Sequence, residues 1–177
     1  MTESRVHLRA VLLGLRIDTR SLDHPDTMAL SPLTLALFNL AYVVLAYPAG
    51  TLSDRMRPRN ILLAGIALLV AGDLVLARAE NLAWLLAGVG LWGAHMALTQ
   101  GIFSRMIADS APDELRATSF GAFWFVTGIA SLLASLGAGW LWDREGSAAT
   151  FATSAGVAAM AFVMLSLLEE EWPIPGR

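Results

Sequence analysis

Val43-Val44-Leu45-Ala46-Tyr47-Pro48-Ala49-Gly50-Thr51-Leu52 closes one long apolar stretch, Ser53-Asp54-Arg55-Met56-Arg57-Pro58-Arg59 turns the chain in a burst of charge, and Asn60-Ile61-Leu62-Leu63-Ala64-Gly65 opens the next. A hydrocarbon core ~30 Å thick takes about 20 apolar residues of helix. Working outward from this turn, residues 32–52, 61–77, 82–104, 118–141 and 148–168 read as such stretches. Three of them (32–52, 118–141 and 148–168) hold no charged side chain, 82–104 has His95 as its only ionisable group, and 61–77 has one carboxylate, Asp73. In lipid the backbone satisfies its own donors and acceptors, so these segments are helices. The expected fold is an all-α integral membrane protein with about five transmembrane helices over residues 31–168. Residues 1–30 read as an N-terminal extension or remnant, poorly ordered, and 169–177 as a short tail.

Composition supports lipid as the solvent. Hydrophobic residues make up 56% and charged residues 15% of the chain, with a mean hydropathy of +0.59, outside the pattern of soluble domains. The segments are apolar all round, with no polar face at the helical period. The net charge of −3 and the absence of a basic tract exclude nucleic acid as a partner. With no cysteine in the chain, disulfides and thiolate metal sites are excluded. No metal-binding His pair, no His-Glu-x-x-His and no Ser/His/Asp set points to an enzyme. No cofactor is expected.

The boundaries are marked by turn and cap chemistry. Ser31-Pro32 reads as an N-cap followed by proline at the first helical position. Asn60 is expected to cap the second helix, Asn81 the third, and Arg116 to Thr118 to start the fourth. Asp143-Arg144-Glu145-Gly146-Ser147 ends it. Trp84, Trp140, Trp142 and Trp172 fall near segment ends, where amphipathic rings settle at the headgroups. Arg55, Arg57, Arg59, Arg105, Arg116 and Arg177 lie on one side, against Arg78 and Arg144 on the other. The positive-inside bias puts the 50–60 hairpin and the C-terminus in the cytoplasm of a plasma (inner) membrane, as a multi-pass protein. That leaves Arg5, Arg9, Arg16 and Arg20 outside, as though a preceding helix were missing.

The hairpin resembles the signature loop of the major facilitator superfamily (MFS), which follows the second helix of each six-helix half. Gly50, Leu52, Ser53, Asp54, Arg55 and Arg59 match the pattern, while Arg57 and Pro58 replace its usual Gly and Arg. The stretch from Phe38-Asn39-Leu40-Ala41-Tyr42 to Tyr47-Pro48-Ala49-Gly50 resembles the eighth helix of a bacterial subgroup. Ala97-Leu98-Thr99-Gln100-Gly101 resembles its tenth, with Gln100 in place of a usual Glu. Ala108-Asp109, Pro112, Leu115-Arg116, Thr118 and Phe120-Gly121 resemble the next loop and helix, and Leu141-Trp142-Asp143-Arg144 the close of that helix.

The resemblance implies the C-terminal half of a twelve-helix secondary transporter lacking the half's first helix. Such carriers rock two bundles around a midplane site, using an ion gradient. Its partners are then the lipid bilayer, the missing N-terminal half or another membrane protein, and a small-molecule substrate.

Four groups of residues carry the functional expectation. Gly50, Asp54, Arg55 and Arg59 form the gating hairpin, where arginines clamp carboxylates as a breakable latch; the alternative is that they only set topology. His95 lies about 20 Å along its helix, near the midplane, where an ionisable group faces a cavity or a partner helix. With Trp92, Thr99 and Gln100 on its helix and Asn39 and Tyr42 on the first, it makes a candidate substrate or proton cavity. The competing reading is a neutral imidazole bonded to a neighbouring helix. Asp73, one turn from its helix end, reads as a solvated carboxylate.

Finally, Ala130, Ala134 and Ala138 beside Ser131 and Ser135 make a small-residue face that lets another helix approach. The function expected is small-solute or drug transport by alternating access, from a truncated or partial chain. The alternatives are a five-helix interaction or assembly protein and an inactive carrier remnant.

Overall fold

The computed structural model describes the backbone of residues 25–167 and side chains from Pro32. The chain divides between Ala36 and Leu37 into two units, and all packing described below lies within the second. Every regular element among the described residues is helical. Helix α1 spans Pro25–Ser53, α2 Pro58–Ala77 and α3 Leu82–Ser110; a single 3-10 turn, Asp113–Leu115, leads into a long helix, Arg116–Leu167.

That last helix is broken at Gly146, whose φ of 86° and ψ of −178° lie outside the helical region. Its limbs are termed α4 (116–145) and α5 (147–167). A backbone in this region is essentially restricted to glycine. Gly146→Val should therefore destabilise the α4–α5 corner by about 1–3 kcal/mol, readable as a lower melting temperature of the purified protein in detergent. Among the described residues four helices are long and apolar enough to cross a membrane: Pro32–Ser53, Pro58–Ala77, Leu82–Ser110 and the broken Asp113–Leu167.

Local chemistry explains the ends, with two corrections to the expected caps. Helix α1 begins at Pro25, upstream of the expected Ser31 cap, and runs through Pro32; membrane helices tolerate an interior proline. Residues 25–31 are thus helical, and residues 1–24 and 168–177 lie outside the described residues. Asn60 does not cap α2. Pro58 takes the first helical position, where its missing N–H costs nothing, and extended Arg57 precedes it. At α3 the expectation holds, since Asn81 Oδ1 accepts from Trp84 N at 3.1 Å. The 3-10 turn before α4 is braced by Arg116 on Asp113 at 2.8 Å.

Helix α2 is the centre of the bundle, lying against α3 and α5. The α2–α3 pair is antiparallel, and glycines set its spacing. A Cβ on Gly65 would stand 2.6 Å from Thr99 Cγ2, one on Gly72 2.9 Å from Trp92 Cδ1, and one on Gly88 2.5 Å from Leu76 Cγ. In lipid, helices associate by such close van der Waals approach and not by hydrophobic drive. Helix α1 meets α3 in the same way at Gly93, where a Cβ would stand 2.7 Å from the Phe38 carbonyl oxygen. At the hairpin end Ile61, Leu62 and Ile102 form a core with Leu98, Met106 and Leu165.

The expected small-residue face behaves otherwise. Ala130, Ser131, Ala134, Ser135 and Ala138 are all exposed, as is every residue from 130 to 140. The close helix contacts are made by the α2 and α3 glycines instead, and the α4 face has no neighbour among the described residues.

Candidate functional site: the hairpin and the α2–α3 seam

The hairpin is built on the last turn of α1. Asp54 N donates to Gly50 O at 3.2 Å, and Met56 N to Leu52 O at 3.0 Å. Asp54 sits just past this helix end, its side chain 82% exposed. The contact that organises it comes from α3. Arg105 Nη1 donates to Ser53 O at 2.6 Å and stands 4.0 Å from Asp54 Oδ1, while its Nε lies 3.4 Å from Asp109 Oδ2. A guanidinium on the carbonyl end of a helix is favoured by both the orphan acceptor and the helix dipole. Arg105 enters the sequence reading only as a topology charge; the Arg105/Asp109 spacing of four on one helix face was the available signal.

Arg59 is engaged inside the same bundle. Its Nε donates to Leu165 O at 3.2 Å and its Nη2 to Ser166 O at 2.5 Å. It therefore ties α2 to the Leu165–Ser166 backbone of α5, a role the latch expectation does not include. Arg55 is exposed, and a Cβ on Gly50 would meet nothing within 4 Å. The signature face of the hairpin is thus open among the described residues.

The residues expected to line a cavity divide in two. Trp92, His95 and Thr99 pack toward α2. Trp92 Nε1 donates to Asp73 Oδ1 at 2.8 Å. His95 Nδ1 lies 2.9 Å from Gly65 O; a carbonyl only accepts, so Nδ1 carries the proton there. Thr99 Oγ1 donates to His95 O at 2.9 Å. The polar groups of these three side chains find partners in the helix bundle, which is why they do not form an open wall. Gln100 is half-buried, with its Nε2 3.9 Å from Met96 Sδ. Tyr42 is half-buried and Asn39 exposed.

Asp73 departs furthest from expectation. It is 0% exposed, because Trp92 reaches across the seam and the glycine spacing leaves no path for water. Trp92 in turn packs edge-on against Phe151, centroids 6.1 Å apart, and Phe151 against Trp142 at 5.8 Å.

A groove of about 380 Å³ opens at the hairpin end, lined by Phe103, Met106, Ile107, Ser110, Ala111, Pro112, Ser119 and Phe123. None of Asn39, Tyr42, Trp92, His95, Thr99 or Gln100 lines it. No group of three or more potential metal ligands occurs among the described residues.

An apolar helical bundle with a charged hairpin locked to its third helix, and with polar side chains paired at depth, is the pattern of a multi-pass membrane protein. The Major Facilitator Superfamily profile matches residues 21–175, and the chain belongs to that family. It is similar to an uncharacterised MFS-type transporter of Methanocaldococcus jannaschii, 33% identical over 106 residues, which is 60% of this chain and 27% of that relative. The chain spans about a quarter of the relative's length. No solved structure matches it.

Proposed function

We propose that this chain is the C-terminal helical part of a secondary active transporter, moving a small solute or drug by alternating access together with a second set of helices. The observation carrying this reading is the Gly50–Arg59 hairpin, held by Arg105 from α3, in a chain the family profile matches almost throughout. Helices α1, α2, α3, α4 and α5 then cross the membrane in turn. A straight helix of 52 residues would run about 78 Å against a core of ~30 Å, so the break at Gly146 makes α4 and α5 separate crossings. The arginine bias supports a cytoplasmic hairpin and C-terminus.

In this reading Gly50, Asp54 and Arg55 present the open face of the hairpin to the partner helices, and Arg105 and Arg59 hold it rigid. Asn39 and Tyr42 on α1 and Gln100 on α3 are the side chains proposed to meet the solute. An antibody against residues 169–177 tests the assembly in native membranes. The expected species is near twice 18.9 kDa or more, as one chain or a stable complex, whose vesicles accumulate solute and lose that uptake in Asp54→Asn. A species of 18.9 kDa that co-purifies with a partner but moves no solute would instead support the interaction-protein reading. One without partner or uptake would leave an inactive remnant.

A further inference from the structure

Three aromatic rings and one hydrogen bond join four helices toward the end of the bundle away from the hairpin. Trp142 on α4 meets Phe151 on α5, centroids 5.8 Å apart and planes at 75°. Phe151 meets Trp92 on α3 at 6.1 Å and 73°. Trp92 Nε1 donates to Asp73 Oδ1 on α2 at 2.8 Å. Both ring pairs have the edge-to-face geometry in which the positive rim of one ring meets the negative face of another. Such a contact is lost when either ring turns, so each depends on how the next residue along is held.

These contacts span the two places where this end of the bundle can open. One is the corner at Gly146, the positive-φ glycine among the described residues. A Cβ there would meet nothing within 4 Å, so no neighbour of Gly146 itself blocks movement. Thr150 Oγ1 donates to Gly146 O at 2.9 Å, which fixes the first turn of α5 to the corner and carries Phe151 with it. Arg144 lies over the Trp140 ring at 4.5 Å, a contact that stays on α4 and does not cross to α5. The buried residues farther along α5 are the small Ala155 and Ala158. The other place is the α2–α3 seam, where the Trp92 indole lies beside Gly72 and the fully buried Asp73 is its acceptor.

We propose that Asp73, Trp92, Phe151 and Trp142 form a clamp that makes the α4–α5 corner and the α2–α3 seam open together. With the clamp shut, Asp73 orients Trp92, Trp92 holds Phe151, and Phe151 holds the corner against Trp142. Parting α2 from α3 breaks the bond from the indole, turns its ring away from Phe151 and frees α5 to swing about Gly146. Asp73 and Trp92 are positioning residues that act on the corner through Phe151. Use of the clamp as a gate rests on the transporter reading above, whereas the coupling itself does not.

Amide hydrogen exchange on the full chain in lipid nanodiscs tests the coupling without any transport assay. The reporter is residues 150–154, the first turn of α5 whose amides have helical acceptors. Asp73→Ala, which removes the acceptor, should raise exchange there on the order of fivefold, the effect of losing one edge-to-face contact. Trp92→Phe keeps a ring beside Phe151 but has no N–H to anchor it, and should reproduce the rise. Asp73→Asn, whose amide oxygen accepts from the same indole, should exchange as the wild type does. Residues 163–167, at the far end of α5, should keep their wild-type rate in all three variants. Unchanged exchange at 150–154 in either Asp73→Ala or Trp92→Phe would overturn the proposal. So would an equal rise in Asp73→Asn, or a rise that extends to 163–167.

Discussion

Gly93→Leu is expected to be the most damaging single substitution in the bundle. A Cβ at this position would stand 2.7 Å from the Phe38 carbonyl oxygen, 2.8 Å from Ala41 Cβ and 3.2 Å from Tyr42 N. Two of those neighbours are backbone atoms, which cannot swing aside as a side-chain tip can. Leucine therefore forces α1 away from α3, and overpacking of this kind costs about 1–3 kcal/mol. The loss reaches beyond α1, because separating α1 from α3 also draws Ser53 away from Arg105 and unfixes the hairpin. Gly128→Leu is the comparison: no atom lies within 4 Å of a Cβ there, so it should melt with the wild type. Thermal melts of the two variants in the same detergent decide the matter. Equal melting temperatures would show that the α1–α3 approach is not a tight one.

Arg59→Ala is expected to release the end of α5. The guanidinium donates to two successive carbonyls, Leu165 O and Ser166 O, and so links α2 to α5. Hydrogen bonds from charged donors contribute about 1.5–3 kcal/mol when desolvated. The Ser166 end is exposed, which brings the expected loss to on the order of 1 kcal/mol. Arg59→Lys should recover only part of it, because an ammonium lacks the planar fork that reaches both carbonyls. Amide hydrogen exchange at residues 163–167 should rise in Arg59→Ala and not in Arg57→Ala. Unchanged exchange would mean that Arg59 serves only as a topology charge.

Much of this architecture was legible because it rests on local chemistry. The length and apolarity of the segments gave the helices, Asn81 its cap, and Gly146 the break in the last one. The hairpin was legible for the same reason, since a burst of charge between apolar runs admits one reading in lipid. What was not legible is which face of each helix meets a neighbour. In a soluble helix the polar side answers that question. These helices are apolar all round, and the most regular pattern, the Ala130/Ala134/Ala138 stripe, lies exposed with no neighbour among the described residues. The α2–α3 seam is marked by Gly65 and Gly72 on α2 and Gly88 on α3, and the α1–α3 contact by Gly93, which a search for four-residue spacing passes over.

Asp73 shows the same limit from another side. Its distance from the helix end suggested water. Burial depended on a side chain distant in sequence, Trp92, crossing a gap that the glycines had closed. The sequence marks Arg105 as a side-of-membrane charge and Arg59 as part of the latch, because no local rule says which carbonyls a long guanidinium will reach.

In the carrier proposed above, the exposed α4 face lies against the further helices. A photo-cross-linking residue at Ala134, installed in the full chain and activated in native membranes, tests it most directly. The account predicts a discrete protein adduct from position 134, reduced when Ala130 and Ala138 are both replaced by leucine, whereas Met160 on α5 yields lipid adducts. Lipid adducts alone from position 134 would contradict it.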